Sequence, residues 1–172
     1  VKALKLNDPW SDINIPLFMM SYSDINAFKD YIAEVRMDAE FSKSVVDFQT
    51  IKHFSPQLED NMLVIDVRSG KFGGTVDDFT VSDMLVSSRS GGFEGSISGR
   101  MTGIPEIEDT SIDAKIQNFT ITSAGLSHFV TQWMREGSLD IGKFAPGTAF
   151  NINAHAKGLL NRLDIDADIR SA

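Results

Sequence analysis

The chain contains no cysteine. That excludes disulfides, thiol nucleophiles and thiolate metal sites, while leaving the compartment open. Long apolar runs are also missing: none approaches the roughly 20 residues that a membrane-spanning helix needs, and no signal peptide is visible. Positive charge is in deficit, with 16 Lys and Arg against 24 Asp and Glu, a formal net charge of −8 and a pI near 4.8. Such a surface repels phosphate and argues against nucleic acid as a partner. It would also repel anionic lipid headgroups, though not a buried acyl chain. Histidine is limited to His53, His128 and His155.

What is present is ordinary for a folded protein: 42% hydrophobic and 23% charged residues in 172, enough for one core or two small ones. The opening Val1-Lys2-Ala3-Leu4 reads as the start of an excised piece, so the expectation is a segment of a longer protein.

The dominant signal is alternation. Ala33, Val35, Met37, Ala39 and Phe41 alternate with Glu34, Arg36, Asp38 and Glu40, the period of two that marks a half-buried strand. The same pattern recurs in Leu63, Ile65 and Val67; in Phe93, Gly95, Ile97, Gly99 and Met101; and in Ile112, Ala114 and Ile116. It returns in Phe150, Ile152, Ala154 and Ala156, and in Leu163, Ile165, Ala167 and Ile169. Segment 72–86 also reads as extended, with a bend or bulge at Gly73-Gly74. Turn signals at Ser69-Gly70, Gly73-Gly74, Gly91-Gly92, Pro105 and Pro146-Gly147 separate the runs.

Helices are few. Asp47 is placed to cap a short one carrying Phe48, Ile51 and Phe54, ended by Pro56. Thr122 or Ser123 is placed to cap another, with Leu126, Phe129, Val130 and Trp133 in one apolar stripe. Segment 23–32 suits either a helix or a strand leading into Ala33. The expected fold class is therefore mostly β: an elongated, curved antiparallel sheet, half-pipe or taco-like, with one or two short helices. An internal repeat is visible as well: 46–54 aligns with 121–129, a displacement of 75 residues from Phe54 to Phe129. The chain then reads as a single segment, 1–172, with repeat units of about 33–107 and 108–172.

Nothing assembles an active site. Catalysis needs a nucleophile beside a base, paired carboxylates in a cleft, or a metal. His53 and His128 occupy matching repeat positions beside a Phe, which suits a shared half-buried structural slot better than metal ligation. His155, and the aspartates at 164, 166 and 168, fall on polar strand faces and read as solvated. The expectation is a non-enzyme with no cofactor and no metal. Gly95, Gly99 and Gly103, four apart, share the apolar face of their run. Glycine weakens a strand unless something approaches the backbone closely. Two readings stand: bulky neighbours from the same chain fill the space, or the face is a shallow trough open to a hydrocarbon chain, with Gly95, Gly99 and Ala154 giving clearance.

Three stretches carry a family likeness: Ser44-Val45-Val46-Asp47-Phe48 through His53-Phe54-Ser55-Pro56, then Ser69-Gly70-Lys71-Phe72-Gly73-Gly74 through Phe79-Thr80-Val81, then Gly99-Arg100-Met101-Thr102-Gly103-Ile104-Pro105-Glu106. Together they resemble the repetitive β region of TamB and AsmA-like envelope proteins, in the forms found in Bacteroides-type bacteria, over about residues 33–172. The resemblance implies a periplasmic chain whose parent is anchored in the inner membrane, with a hydrophobic half-pipe serving phospholipid movement between membranes or outer-membrane assembly. It implies phospholipid acyl chains and an outer-membrane assembly β-barrel protein as partners, and supplies no catalytic residues. The expected lining of the groove is Phe93, Gly95, Ile97, Gly99, Met101, Ile112, Ala114, Ile116, Phe150, Ile152 and Ala154. The alternative is an interaction scaffold, a closed β-sandwich that pairs its edge strands with outer-membrane protein precursors.

Overall fold

The computed structural model describes residues 2–50, 64–89, 92–104, 109–126, 145 and 147–171. Its strands are β1 (Lys2–Asn7), β2 (Asp12–Ser21), β3 (Arg36–Phe41), β4 (Ser44–Asp47), β5 (Val64–Gly74), β6 (Asp78–Ser88), β7 (Phe93–Thr102), β8 (Ser111–Thr122), β9 (Ala149–Leu159) and β10 (Arg162–Ser171). All ten belong to one antiparallel sheet, in the order β1-β2-β3-β5-β6-β7-β8-β9-β10. β4 continues β3 past a break at Ser42-Lys43, pairing the same neighbours, β2 and β5. The mostly β architecture expected from the alternation is present, as one antiparallel sheet with short helices.

Residues directly opposite in an antiparallel pair share a face. The registers therefore trace one apolar face across the sheet: Ala39 opposite Phe72, Phe72 opposite Val81, Val81 opposite Gly99, Gly99 opposite Ala114, Ala114 opposite Ala156, and Ala156 opposite Ile165. The other face carries Glu40, Lys71, Arg100, Asp113, Lys157 and Asp164.

Three strands keep this arrangement only by inserting a residue, and the first is β5, where the register slips between Val67 and Ser69. The register slips between Val81 and Met84 in β6, and between Ile116 and Phe119 in β8. Asp83 (φ 49) and Asn118 (φ 48) take up the slack in left-handed conformations, which short polar side chains tolerate best. Each exposed amide finds an acceptor on the next strand: Asp83 N–H donates to Ser98 Oγ at 2.8 Å and Asn118 N–H to Asn153 Oδ1 at 2.9 Å. A slip of one residue inverts every later side chain. The bulges thus return Met84, Val86, Phe119 and Ile121 to the apolar face although the sequence phase has changed. Bulges also bend and twist the strand, which curves the sheet.

The glycines of the apolar face are closely approached by the strand beside them. A Cβ on Gly95 would lie 2.5 Å from the Phe119 ring, and one on Gly99 would lie 2.7 Å from the Ala114 backbone. Phe119 lies over this gap and stacks on Phe93 with centroids 5.4 Å apart and planes 17° from parallel. The room left at Gly95 is thus used within the sheet and does not serve as clearance for a ligand. Phe72 and Phe79 form a second stack, at 5.2 Å.

Several local expectations are corrected. Residues 25–34 are helical: a 3-10 turn over Ile25–Asp30 runs into a short helix, α1 (Tyr31–Glu34). Asp24 accepts from Asn26 N–H and Asp30 from Ala33 N–H, so the strand expected from Ala33 begins at Arg36. Val35, fully buried, turns inward between them. Ser69-Gly70 lies inside β5 rather than in a turn. Helices do begin at 48 and at 123, where Asp47 accepts from Gln49 N–H at 2.8 Å and Thr122 from Gly125 N–H at 3.0 Å. Their expected continuations, through 54 and 133, lie outside the described residues, as do His53 and His128. A buried hydroxyl cluster fixes the first helix start to the β1–β2 turn: Thr50 Oγ1 bonds Ser11 Oγ at 2.7 Å and donates to Asp8 at 2.8 Å.

The strand order falls into two four-strand units, β2 to β6 and β7 to β10, joined edge to edge at β6–β7. β3 begins at 36 and β8 at 111; β4 ends at 47 and β8 at 122; the helices begin at 48 and 123. Each of these pairs is displaced by the same 75 residues. The break at Ser42-Lys43 maps on Gln117-Asn118, the β8 bulge.

Candidate functional site: the apolar face of β7, β8 and β9

The residues expected to line a groove come together on three neighbouring strands. Across β7, β8 and β9 they form rungs: Phe93, Ile121, Phe150; Ile97, Ile116, Ala154; Gly99, Ala114, Ala156; and Met101, Ile112, Gly158. Ile152 stands between Phe119 of β8 and Ile169 of β10, and Gly95 lies beneath Phe119. Phe150 and Ile121 are buried; the other aliphatic side chains of these rungs are half-buried, while their polar alternates Glu94, Arg100, Lys115, Asn151 and Asn153 are exposed. Phe119, Ile121, Met84 and Val86 extend the same face and were not legible as site residues, because the bulges hide their phase. The single available signal is the apolar pair Phe119, Ile121, which restarts out of step with Ile112, Ala114, Ile116.

Among the described residues the face is not closed like a core. Only eight hydrophobic residues are buried among those described. At the β10 edge Ile165 and Ile169 remain 66% and 60% exposed.

The opposite face is a lattice of cross-strand ion pairs: Lys71 with Glu40 at 3.1 Å, Arg89 with Asp66 at 3.3 Å, Arg68 with Glu94 at 3.1 Å, and Lys157 with Asp113 at 3.4 Å. Arg100 grips Asp78 through two nitrogens, and its hydrogen bonds hold the Asp78 carboxyl below the usual carboxylate range. His155 Nε2, 2.6 Å from Asp113, acts with Lys157 to hold that carboxyl low as well. All these groups are largely solvated, so each pair stabilises weakly. A cleft of about 700 Å3 lies on this polar face, where Arg36, Lys71 and Arg100 are matched by Asp38, Glu40 and Asp78, with Leu17 and Met19 on its wall. Among the described residues no three His, Asp or Glu side chains converge as a metal site, and no helix is long and apolar enough to cross a membrane.

The fold defines a class: one antiparallel sheet in which the described strands share an apolar face, laid down in four-strand units. Comparison with protein-family models, with curated proteins and with solved structures finds no match in any of the three.

Proposed function

We propose that the apolar face of β7, β8 and β9 is a trough that shelters phospholipid acyl chains, and that the chain is a non-enzymatic segment of a TamB-like or AsmA-like envelope protein. In this reading it serves lipid transport between membranes or outer-membrane assembly, in the periplasm, with its parent anchored in the inner membrane. The supporting observation is the half-buried apolar face that the registers trace across the described strands of one sheet. An exposed apolar surface larger than a few hundred Å2 marks an interaction site in a soluble protein. An acyl chain fits it because the contacts needed are dispersive and undirected, at about 0.8 kcal/mol for each buried methylene. The acidic, ion-paired outer face repels anionic headgroups and leaves the trough as the favoured place for the tails.

Ile97, Met101, Ile112, Ile116 and Ile152 would form the floor. Native mass spectrometry of the purified chain, with lipid extraction, tests the reading. Co-purifying phospholipid is expected, and its loss in an Ile97→Asp variant that keeps its circular dichroism spectrum. A lipid-free mass with no uptake of a fluorescent phospholipid would sink the proposal. The scaffold reading, in which an edge strand pairs with an outer-membrane β-barrel precursor, draws on the edge of β10, to which no described strand pairs on its outer side.

A further inference from the structure

We infer that the outer edge of β10 is a docking edge for a strand of the β7 pattern, the leading strand of another four-strand unit, in a register that the chain already uses once. The inference rests on strand geometry and is independent of what fills the trough.

The two units end alike. Gly74 lies opposite Phe79 at the β5–β6 turn, and Gly158 lies opposite Leu163 at the β9–β10 turn. Both glycines have positive φ, 140 and 131, and both abut the backbone of the strand that follows. β10 is therefore the counterpart of β6, displaced by 84 residues from Phe79 to Leu163. β6 is followed in the sheet by β7, with Thr80 opposite Arg100 and Val81 opposite Gly99. Among the described residues β10 is followed by nothing. The difference shows in burial: Val86 of β6 is 8% exposed, whereas Ile169, its counterpart on β10 once the extra residue of the β6 bulge is discounted, is 60% exposed.

Carrying the β6–β7 register over to β10 gives a match on both faces. On the polar face the arginine of the β7 pattern (position 100) falls opposite Asp164, its serines opposite Asp166 and Asp168, and its glutamate (position 94) opposite Arg170. On the apolar face its glycines at 99 and 95 fall opposite Ile165 and Ile169, and its isoleucine at 97 opposite Ala167. Opposite charges meet and small residues meet large, the two pairings that stabilise neighbouring strands. The alternation of direction is respected as well, since β7 runs antiparallel to β6. A second copy of the chain fits worse: two-fold pairing of β10 with itself sets a row of aspartates against an identical row, and like charges directly opposite destabilise. β10 carries neither proline nor bulge in pairing with β9, and its alternate charges select a strand of complementary charge over a like one.

The test uses the intact chain and three synthetic probes: a peptide with the sequence of Phe93–Thr102, the same peptide with Glu94→Arg and Arg100→Glu, and a scrambled version. Amide hydrogen exchange along β10 is followed by NMR at millimolar peptide. The native peptide is expected to slow exchange several-fold at the alternate β10 amides that do not bond β9, and the other two peptides are not. In a chain carrying Asp164→Arg and Arg170→Glu, shown folded by circular dichroism, the preference between the native and swapped peptides should reverse. Absence of slowing, or equal slowing by native and swapped peptides, overturns the inference. So does a sedimentation dimer that already protects β10 without peptide, because the edge is then filled by a second copy.

Discussion

At the scale of single residues, the behaviour of the apolar face turns on where small side chains sit under large ones. Gly95 is the sharpest case, since any Cβ there meets the Phe119 ring and backbone. Gly95→Val is expected to destabilise by about 1–3 kcal/mol, the usual cost of overpacking, read by urea denaturation, and to break the Phe93–Phe119 stack. Unchanged stability would mean that Phe119 does not occupy that gap. On the polar face, Asp78 and Asp113 titrate below the ordinary 3.8. A carboxyl lowered in the folded state contributes stability above its unfolded value and loses it as pH falls through the folded one. Stability is thus expected to decline on acidification from about pH 5 to about pH 3. Arg100→Gln removes the main cause of the shift at Asp78 and should make that decline shallower. A steeper decline in the variant would contradict the pairing. The glycines and aspartates could be placed on their faces from sequence, but their partners could not, because cross-strand contacts depend on registers that only the folded sheet sets.

At the scale of elements, legibility followed regularity. β7, β9 and β10 alternate without interruption and were readable from end to end. β8 was readable up to Ile116, where its bulge inverts the phase. β1 and β2 went unread: Pro16 lacks a donor and falls where the β1–β2 register skips a pair, and Leu17 and Met19 put apolar side chains on the charged face. Residues 23–32 offered both patterns, and the two aspartate caps decided for helix over 25–34. The bulges give the element-scale prediction. Asn118→Gly keeps the left-handed conformation accessible and should leave stability near wild type. Asn118→Val places a β-branched residue there and should cost roughly 1–2 kcal/mol by thermal melting. Equal melting temperatures for the two would show that Asn118 does not hold the bulge.

At the scale of the whole molecule, the described sheet is β1 followed by two four-strand units side by side, and each strand pairs almost wholly with its neighbours in sequence. The 75-residue displacement read from the sequence recurs in the start of β3 and β8 and in the two capped helix starts. In such an array, stability is a sum of nearest-neighbour terms. Native-state hydrogen exchange should accordingly show greatest protection at β6–β8, falling toward β1 and β10. Uniform protection across the sheet would argue for a closed, globally cooperative core. The meander order has a mechanical consequence as well. The first and last strands lie at opposite edges of the sheet, so a pull between the chain's ends acts across the strands. The hydrogen bonds of each ladder are then loaded one after another. The molecule should yield at low force, unspooling a strand at a time from its rims, and re-knit in the same order when the tension is released.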